Sequence, residues 1–229
     1  SKEPQRKKVV PMPTARAPVS QRSKRPAKGR AFPRKLLLLL VVAGVLFLFL
    51  RPYLLPSKAL PAVLDEDWIT VDLLPENPYS RPQIPLKQVN GVVVHYTGNP
   101  NTSAEANRSY FAGLAQSGAT YASSHFLVGL DGEIIQNVPL DEIAYCSNQR
   151  NEDTISIECC HPDQSGQFSD ATYQSLVKLV RYLADGYGLS SEDVIRHYDV
   201  TGKLCPYYYA TNPEAWEAFK KDVFSPSLF

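Results

Sequence analysis

Gly91-Val-Val-Val-His95-Tyr96 is an apolar run that reads as a buried strand, and it opens directly into the loop Thr97-Gly98-Asn99-Pro100. Outward from it, strand-like and helix-like patterns alternate, which predicts an α/β domain. Ser103 to Ser117 carries a partial apolar face from Ala104, Tyr110, Phe111 and Leu114. Tyr121 to Leu130 and Glu133 to Val138 flank Asp131-Gly132, the signature of a two-residue hairpin. Thr154 to His161, TISIECCH, is β-branched and alternating, so Ile155 and Ile157 face the core while Ser156 and Glu158 face the other way. Ser169 is placed to cap a helix from Asp170 to Tyr187, with Tyr173, Leu176, Val177, Val180 and Leu183 along one side. Val194 to His197 predicts a last strand. Asn212-Pro213 predicts a closing helix with Asn as cap and Pro at its first position, from which Trp216, Phe219 and Val223 pack inward.

The net charge of +1 conceals two unlike regions. Residues 1–35 hold 12 of the 24 Lys and Arg but only one of the 23 acidic residues, Glu3, a balance of +11; the remainder carries −10. That tail has six prolines and almost no large apolar residue, so it is expected to be disordered. Clustered basic residues could bind nucleic acid through phosphates, but the apolar segment next to them argues for a membrane instead. Leu36 to Leu50, LLLLLVVAGVLFLFL, has no polar side chain, and Tyr53-Leu54-Leu55 extends it past Arg51, which can snorkel. A cleaved signal peptide competes with an uncleaved anchor. The long basic segment ahead of the run and the lack of an A-x-A-like site after it favour one transmembrane anchor at 36–55. The positive-inside rule then puts 1–35 in the cytoplasm and the rest outside the membrane. Seven prolines between residues 51 and 86 suggest an extended tether over 56–83, with room for a short ordered piece around Trp68 to Leu74, leaving a domain at 84–229 whose folded part starts near Lys87. No nucleic-acid partner is expected.

Chemistry concentrates in His197-Tyr-Asp-Val-Thr-Gly-Lys203-Leu-Cys205. An imidazole, an ammonium and a thiol fall within nine residues, and Gly202 lets the backbone turn so that they can converge. Zinc takes imidazole and thiolate donors, and a catalytic site uses three of them and leaves one position for water. The third donor must be His95, His125 or His161, and His95, where a core strand runs out into a loop, is chosen. Taken singly, each of these residues has an ordinary structural reading, as a hydrogen-bonded histidine or a buried small thiol. Glu158 is the candidate base, and Lys203 can stabilise an oxyanion. Cys146, Cys159 and Cys160 then remain, an odd number: a bridge from Cys146 to one of the adjacent pair and three free thiols are both open.

These motifs, VVVHYT, SSHFLVGLDGEIIQ, ISIE and RHYDVTGKLCP, resemble those of the zinc-dependent type 2 N-acetylmuramoyl-L-alanine amidases, a family that includes amidase-type phage endolysins and peptidoglycan recognition proteins. The resemblance spans about residues 84–210. It implies a mixed β-sheet flanked by helices, Zn2+ held by His95, His197 and Cys205, Glu158 and Lys203 as catalytic groups, and bacterial peptidoglycan as substrate. It leaves His125 without a ligand role and matches His161 to nothing. Some relatives carry a catalytic tyrosine before the histidine matched by His125; Ser124 stands there, which puts more weight on Glu158. The expectation is an amidase tethered to the bacterial cell membrane, cutting between the lactyl group and L-alanine; a tethered peptidoglycan-binding module without activity is the alternative.

Overall fold

The computed structural model describes residues 60–225, and within them six strands form one sheet. The strands are β1 (Thr70–Val71), β2 (Gly91–Tyr96), β3 (Phe126–Val128), β4 (Ile134–Gln136), β5 (Thr154–Cys159) and β6 (Val194–Arg196). Their order is β1-β4-β3-β5-β2-β6, parallel except for the β3–β4 pair. The helices are α1 (Ala104–Ser117), α2 (Asp170–Tyr187), α3 (His197–Thr201), α4 (Tyr207–Thr211) and α5 (Pro213–Phe224). The expected mixed sheet flanked by helices is what forms. The basic tail at 1–35 and the anchor expected at 36–55 lie outside the described residues. Among the described residues no helix is long and apolar enough to cross a membrane.

Alternation along the central strands sorts side chains onto two faces. Val92, Val94, Phe126, Val128, Ile155 and Ile157 pack on one side against Leu176, Leu179, Val180 and Leu183 of α2 and Trp216, Phe219 and Val223 of α5. Full burial of each such side chain contributes about 1.5–3 kcal/mol. On the other face Leu127 and Ile135 meet Ala104 and Phe111 of α1, with Leu74, Val138 and Ala144. The second face also carries His95 and Glu158, which stand side by side because β2 and β5 pair in parallel with His95 opposite Glu158. Both lie near the carboxyl ends of their strands, where open parallel sheets present their sites.

Several expectations shift. The predicted tether is not extended over its described part: Leu64, Ile69 and Leu74 are buried, β1 adds a strand to the sheet, and Arg81 makes a two-pronged ion pair with Glu142, Nη2 to Oε1 at 2.8 Å and Nε to Oε2 at 2.9 Å. Prolines interrupt the hydrogen bonding there without preventing burial of the apolar residues between them. The first predicted hairpin strand shrinks to Phe126–Val128, because Ser123 and Ser124 divert the backbone: Ser123 Oγ accepts from Tyr145 N and Ser124 Oγ donates to Phe126 O. Its turn holds three residues, not two, closing between Gly129 and Glu133 with Gly132 at φ 85°. Ser169 does cap α2, accepting from Thr172 N at 3.0 Å. Asn212 instead serves the helix before it, donating from Nδ2 to Tyr208 O at 2.8 Å, so α5 starts from Pro213 without a side-chain cap.

Candidate active site

The last strand ends one residue early. Arg196 N donates to Asp199 Oδ2 at 2.8 Å, which turns the chain into α3 with His197 as its first residue. Gly202, at φ 79°, ends that short helix in a left-handed conformation. The chain then doubles back, closed by a bond from Tyr198 N to Cys205 O at 2.8 Å, so Cys205 returns beside His197. Meanwhile β6 lies next to β2, with Val94 opposite Arg196, which brings the end of β2 to the same place.

His95, His197 and Cys205 therefore converge, with one donor atom from each within 4.8 Å of the others. All three are buried, at 1%, 7% and 3% exposure. Cys205 Sγ lies 3.8 Å from His95 Nδ1, and the two imidazole rings are 4.7 Å apart. Burial and the neighbouring His197 and Lys203 push the His95 pKa well down; burial and Lys203 lower that of His197. Both rings are thus neutral donors. Burial, with the nearby Glu158 carboxyl, pushes the Cys205 thiol up to about 12.

The donor set fits zinc. Bonds of about 2.3 Å to sulfur and 2.0–2.1 Å to nitrogen in a tetrahedron separate the two donors by roughly 3.5 Å, close to the distance between Cys205 Sγ and His95 Nδ1. The other ring nitrogens are engaged from behind. His95 Nε2 is 3.0 Å from Ser147 Oγ, and His197 Nε2 donates to Asn148 Oδ1 at 2.8 Å. The carbonyl oxygen of Asn148 can only accept, which leaves His197 Nδ1 with its lone pair available.

Glu158 stands beside this cluster. Its Oε1 takes the Cys146 thiol at 3.5 Å, while its Oε2 is buried with no partner among the described residues. A buried carboxylate oxygen without a donor is costly, so this oxygen is open to a ligand that can donate to it. Burial pushes its pKa up to about 8, partly offset by the Cys146 thiol and the Lys203 ammonium. Lys203 is exposed on the loop between Gly202 and Cys205, and its charge reaches His95, His197, Glu158 and Cys205.

The remaining histidines do other work. His125 Nδ1 accepts from Ser156 N at 3.0 Å and its Nε2 donates to Glu142 O at 2.9 Å, so both ring nitrogens are taken up by the protein. His161 lies against Tyr96 in a tilted arrangement, ring centroids 5.0 Å apart, and donates from Nδ1 to Asp163 O. Ser124 is buried and bonded to the backbone. All four cysteines are free. Reasoning from the sequence missed Ser147 and Asn148 altogether and left Cys146 open between a disulfide and a free thiol, with no place in the site. The local pattern Cys-Ser-Asn is a polar turn with nothing to mark it.

Residues 85–208 match the profile of a family described as N-acetylmuramoyl-L-alanine amidase. The chain belongs to that amidase family. Its relatives include the N-acetylmuramoyl-L-alanine amidase CwlL of Bacillus licheniformis, 35% identical over 163 residues, 65% of this chain and 44% of that protein. Another is the amidase BlyA of Bacillus subtilis, 31% identical over 175 residues, 67% of this chain and 46% of that protein. The amidase-family chain thus spans under half the length of these relatives. The solved catalytic domain of XlyA superposes with a TM-score of 0.57 at 26% identity, covering 68% of this chain and 98% of that domain.

Proposed function

We propose that this chain is an N-acetylmuramoyl-L-alanine amidase, hydrolysing the amide between the lactyl group of N-acetylmuramic acid and the L-alanine of the peptidoglycan stem peptide. The observation that carries the reading is the convergence of His95, His197 and Cys205 beside Glu158, one of whose buried oxygens has no partner among the described residues. Membership of the amidase family supports the same substrate. His95, His197 and Cys205 would hold zinc, which supplies Lewis acidity that polarises a carbonyl and brings the pKa of water toward about 7.

The chain's own groups complete the reaction. With a cation held by those three residues, the Glu158 carboxyl would ionise more readily than burial alone allows. Glu158 Oε2 then accepts the proton of the attacking water and later delivers it to the alanine nitrogen as the carbon–nitrogen bond breaks. The Lys203 ammonium faces the negative charge that grows on the carbonyl oxygen, a contribution typically worth about 100–1000-fold in rate. Products are a lactyl carboxylate and a free amino terminus on the peptide.

For location, the apolar run at 36–55 supports a single-pass anchor in a bacterial cell membrane, with residues 1–35 in the cytoplasm and the catalytic domain outside. The test of activity is digestion of purified cell wall by the full chain loaded with zinc, read as new amino-terminal alanine. Glu158→Gln is expected to retain zinc and lose about 100-fold or more in turnover. Wall binding with no new amino termini would instead make the chain a binding module.

A further inference from the structure

Three consecutive residues, Cys146, Ser147 and Asn148, each touch a different group of the site. The Cys146 thiol donates to Glu158 Oε1 at 3.5 Å, Ser147 Oγ meets His95 Nε2 at 3.0 Å, and Asn148 Oδ1 accepts from His197 Nε2 at 2.8 Å. Consecutive residues of an extended chain point to opposite sides, so such an arrangement needs an unusual backbone. It is present. Asn148 sits at φ 54°, in the left-handed region that asparagine tolerates better than most residues. Asn151 Oδ1 accepts from both Cys146 N at 3.0 Å and Ser147 N at 2.6 Å, curling the segment around one amide.

The segment is also tied, just past Asn148, to the elements it serves. Gln149 Nε2 donates to Val200 O at 3.1 Å, joining it to α3, which carries His197. Thr154 Oγ1 donates to Arg150 O at 2.6 Å, joining it to the start of β5, which carries Glu158. We infer that residues 146–148 form one positioning strap behind the site, in which Ser147 and Asn148 orient the two histidines for metal and Cys146 holds the carboxylate with Oε2 turned toward substrate. The inference rests on the metal reading of the cluster. Outer partners of metal-ligating histidines set ring orientation and basicity, and losing one typically costs about 10–100-fold in affinity.

The division of labour makes the strap testable in the full chain. Zinc affinity, measured by competition with a chromogenic chelator, is expected to fall about 10–100-fold in Asn148→Gly, which suits the left-handed backbone but lacks the amide, and in Ser147→Ala. Asn148→Asp, which keeps an acceptor oxygen, is expected to recover most of the loss, and recovery distinguishes orientation of His197 from general loosening of the loop. Cys146→Ala should keep its zinc affinity and lower kcat about 10-fold with KM unchanged, and Cys146→Ser should restore part of kcat. Parent-like zinc affinity in Asn148→Gly and Ser147→Ala would overturn the histidine half of the strap. Weakened zinc in Cys146→Ala would make the thiol a ligand, and an unchanged kcat would free Glu158 from it; either overturns the other half. If the parent binds zinc and cuts wall while every variant matches it, the strap fails and the amidase reading survives. A parent that binds no zinc removes both.

Discussion

At the scale of single residues, burial without a matching charge is the dominant force on this site. His125 shows it away from the cluster of His95, His197 and Cys205. Burial holds its pKa at about 4, with the backbone bond to Glu142 O opposing, so the ring is neutral when folded and protonates near 6.5 when unfolded. Between these values the unfolded chain binds more protons. Stability therefore rises with pH from about 4 to about 6.5, is fully present above that, and is lost as pH falls. A His125→Gln variant is expected to flatten this part of the curve of melting temperature against pH; an unchanged slope would place the acid sensitivity elsewhere. The choice of His95 over His125 and His161 followed from its place at the end of a core strand. The engagement of both His125 nitrogens with protein atoms had no sign in the sequence, because the partners, Ser156 and Glu142, are far along the chain.

At the scale of elements, local chemistry and close approach of backbones govern. Ser169 accepts from Thr172 N and also donates to Leu130 O at 2.7 Å, so it joins the start of α2 to the hairpin. Ser169→Ala should cost about 1 kcal/mol or somewhat more, read in urea melts. Gly91 opens β2 where a side chain has no room: a Cβ there would come within 2.6 Å of Asp193 O, a backbone atom next to β6. Gly91→Ala is expected to destabilise by about 1–3 kcal/mol and, because β6 delivers His197, to weaken zinc binding as well. Loss of stability with unaltered zinc affinity would show that the strand shifts without moving the site. Element types were readable because periodicity and caps are local signals. A boundary slipped where side chains competed for the backbone, at Ser123–Ser124, whereas at Asn212 the boundary held and α5 starts at Pro213, but the amide turned back to α4 instead of forward to α5.

At the scale of the molecule, the folded unit reaches further toward the amino terminus than the prolines suggested. Leu64 and Leu74 are each 1% exposed, Gln136 receives Leu64 N at 2.9 Å, and Arg81 donates to Leu74 O and pairs with Glu142. A chain shortened to start at residue 84 would keep every residue matched by the family profile. It should nevertheless melt at least several degrees lower, because deleting two fully buried leucines costs about 2–5 kcal/mol each before any loss of the ion pair. Equal melting temperatures for the two lengths would return residues 60–83 to the role of a tether.

By itself the sequence determined the α/β class, the pairing of His197 with Cys205 across a glycine turn and the presence of a histidine at the end of a core strand, since each depends on residues close together in the chain. Only the tertiary structure decided that Glu158 stands beside His95, that the proline-rich residues ahead of the domain join its core, and that Cys146, Ser147 and Asn148 lie behind the site. Those facts depend on strand register and on the path of a loop, and both are set by contacts between segments tens of residues apart that leave no periodicity to read.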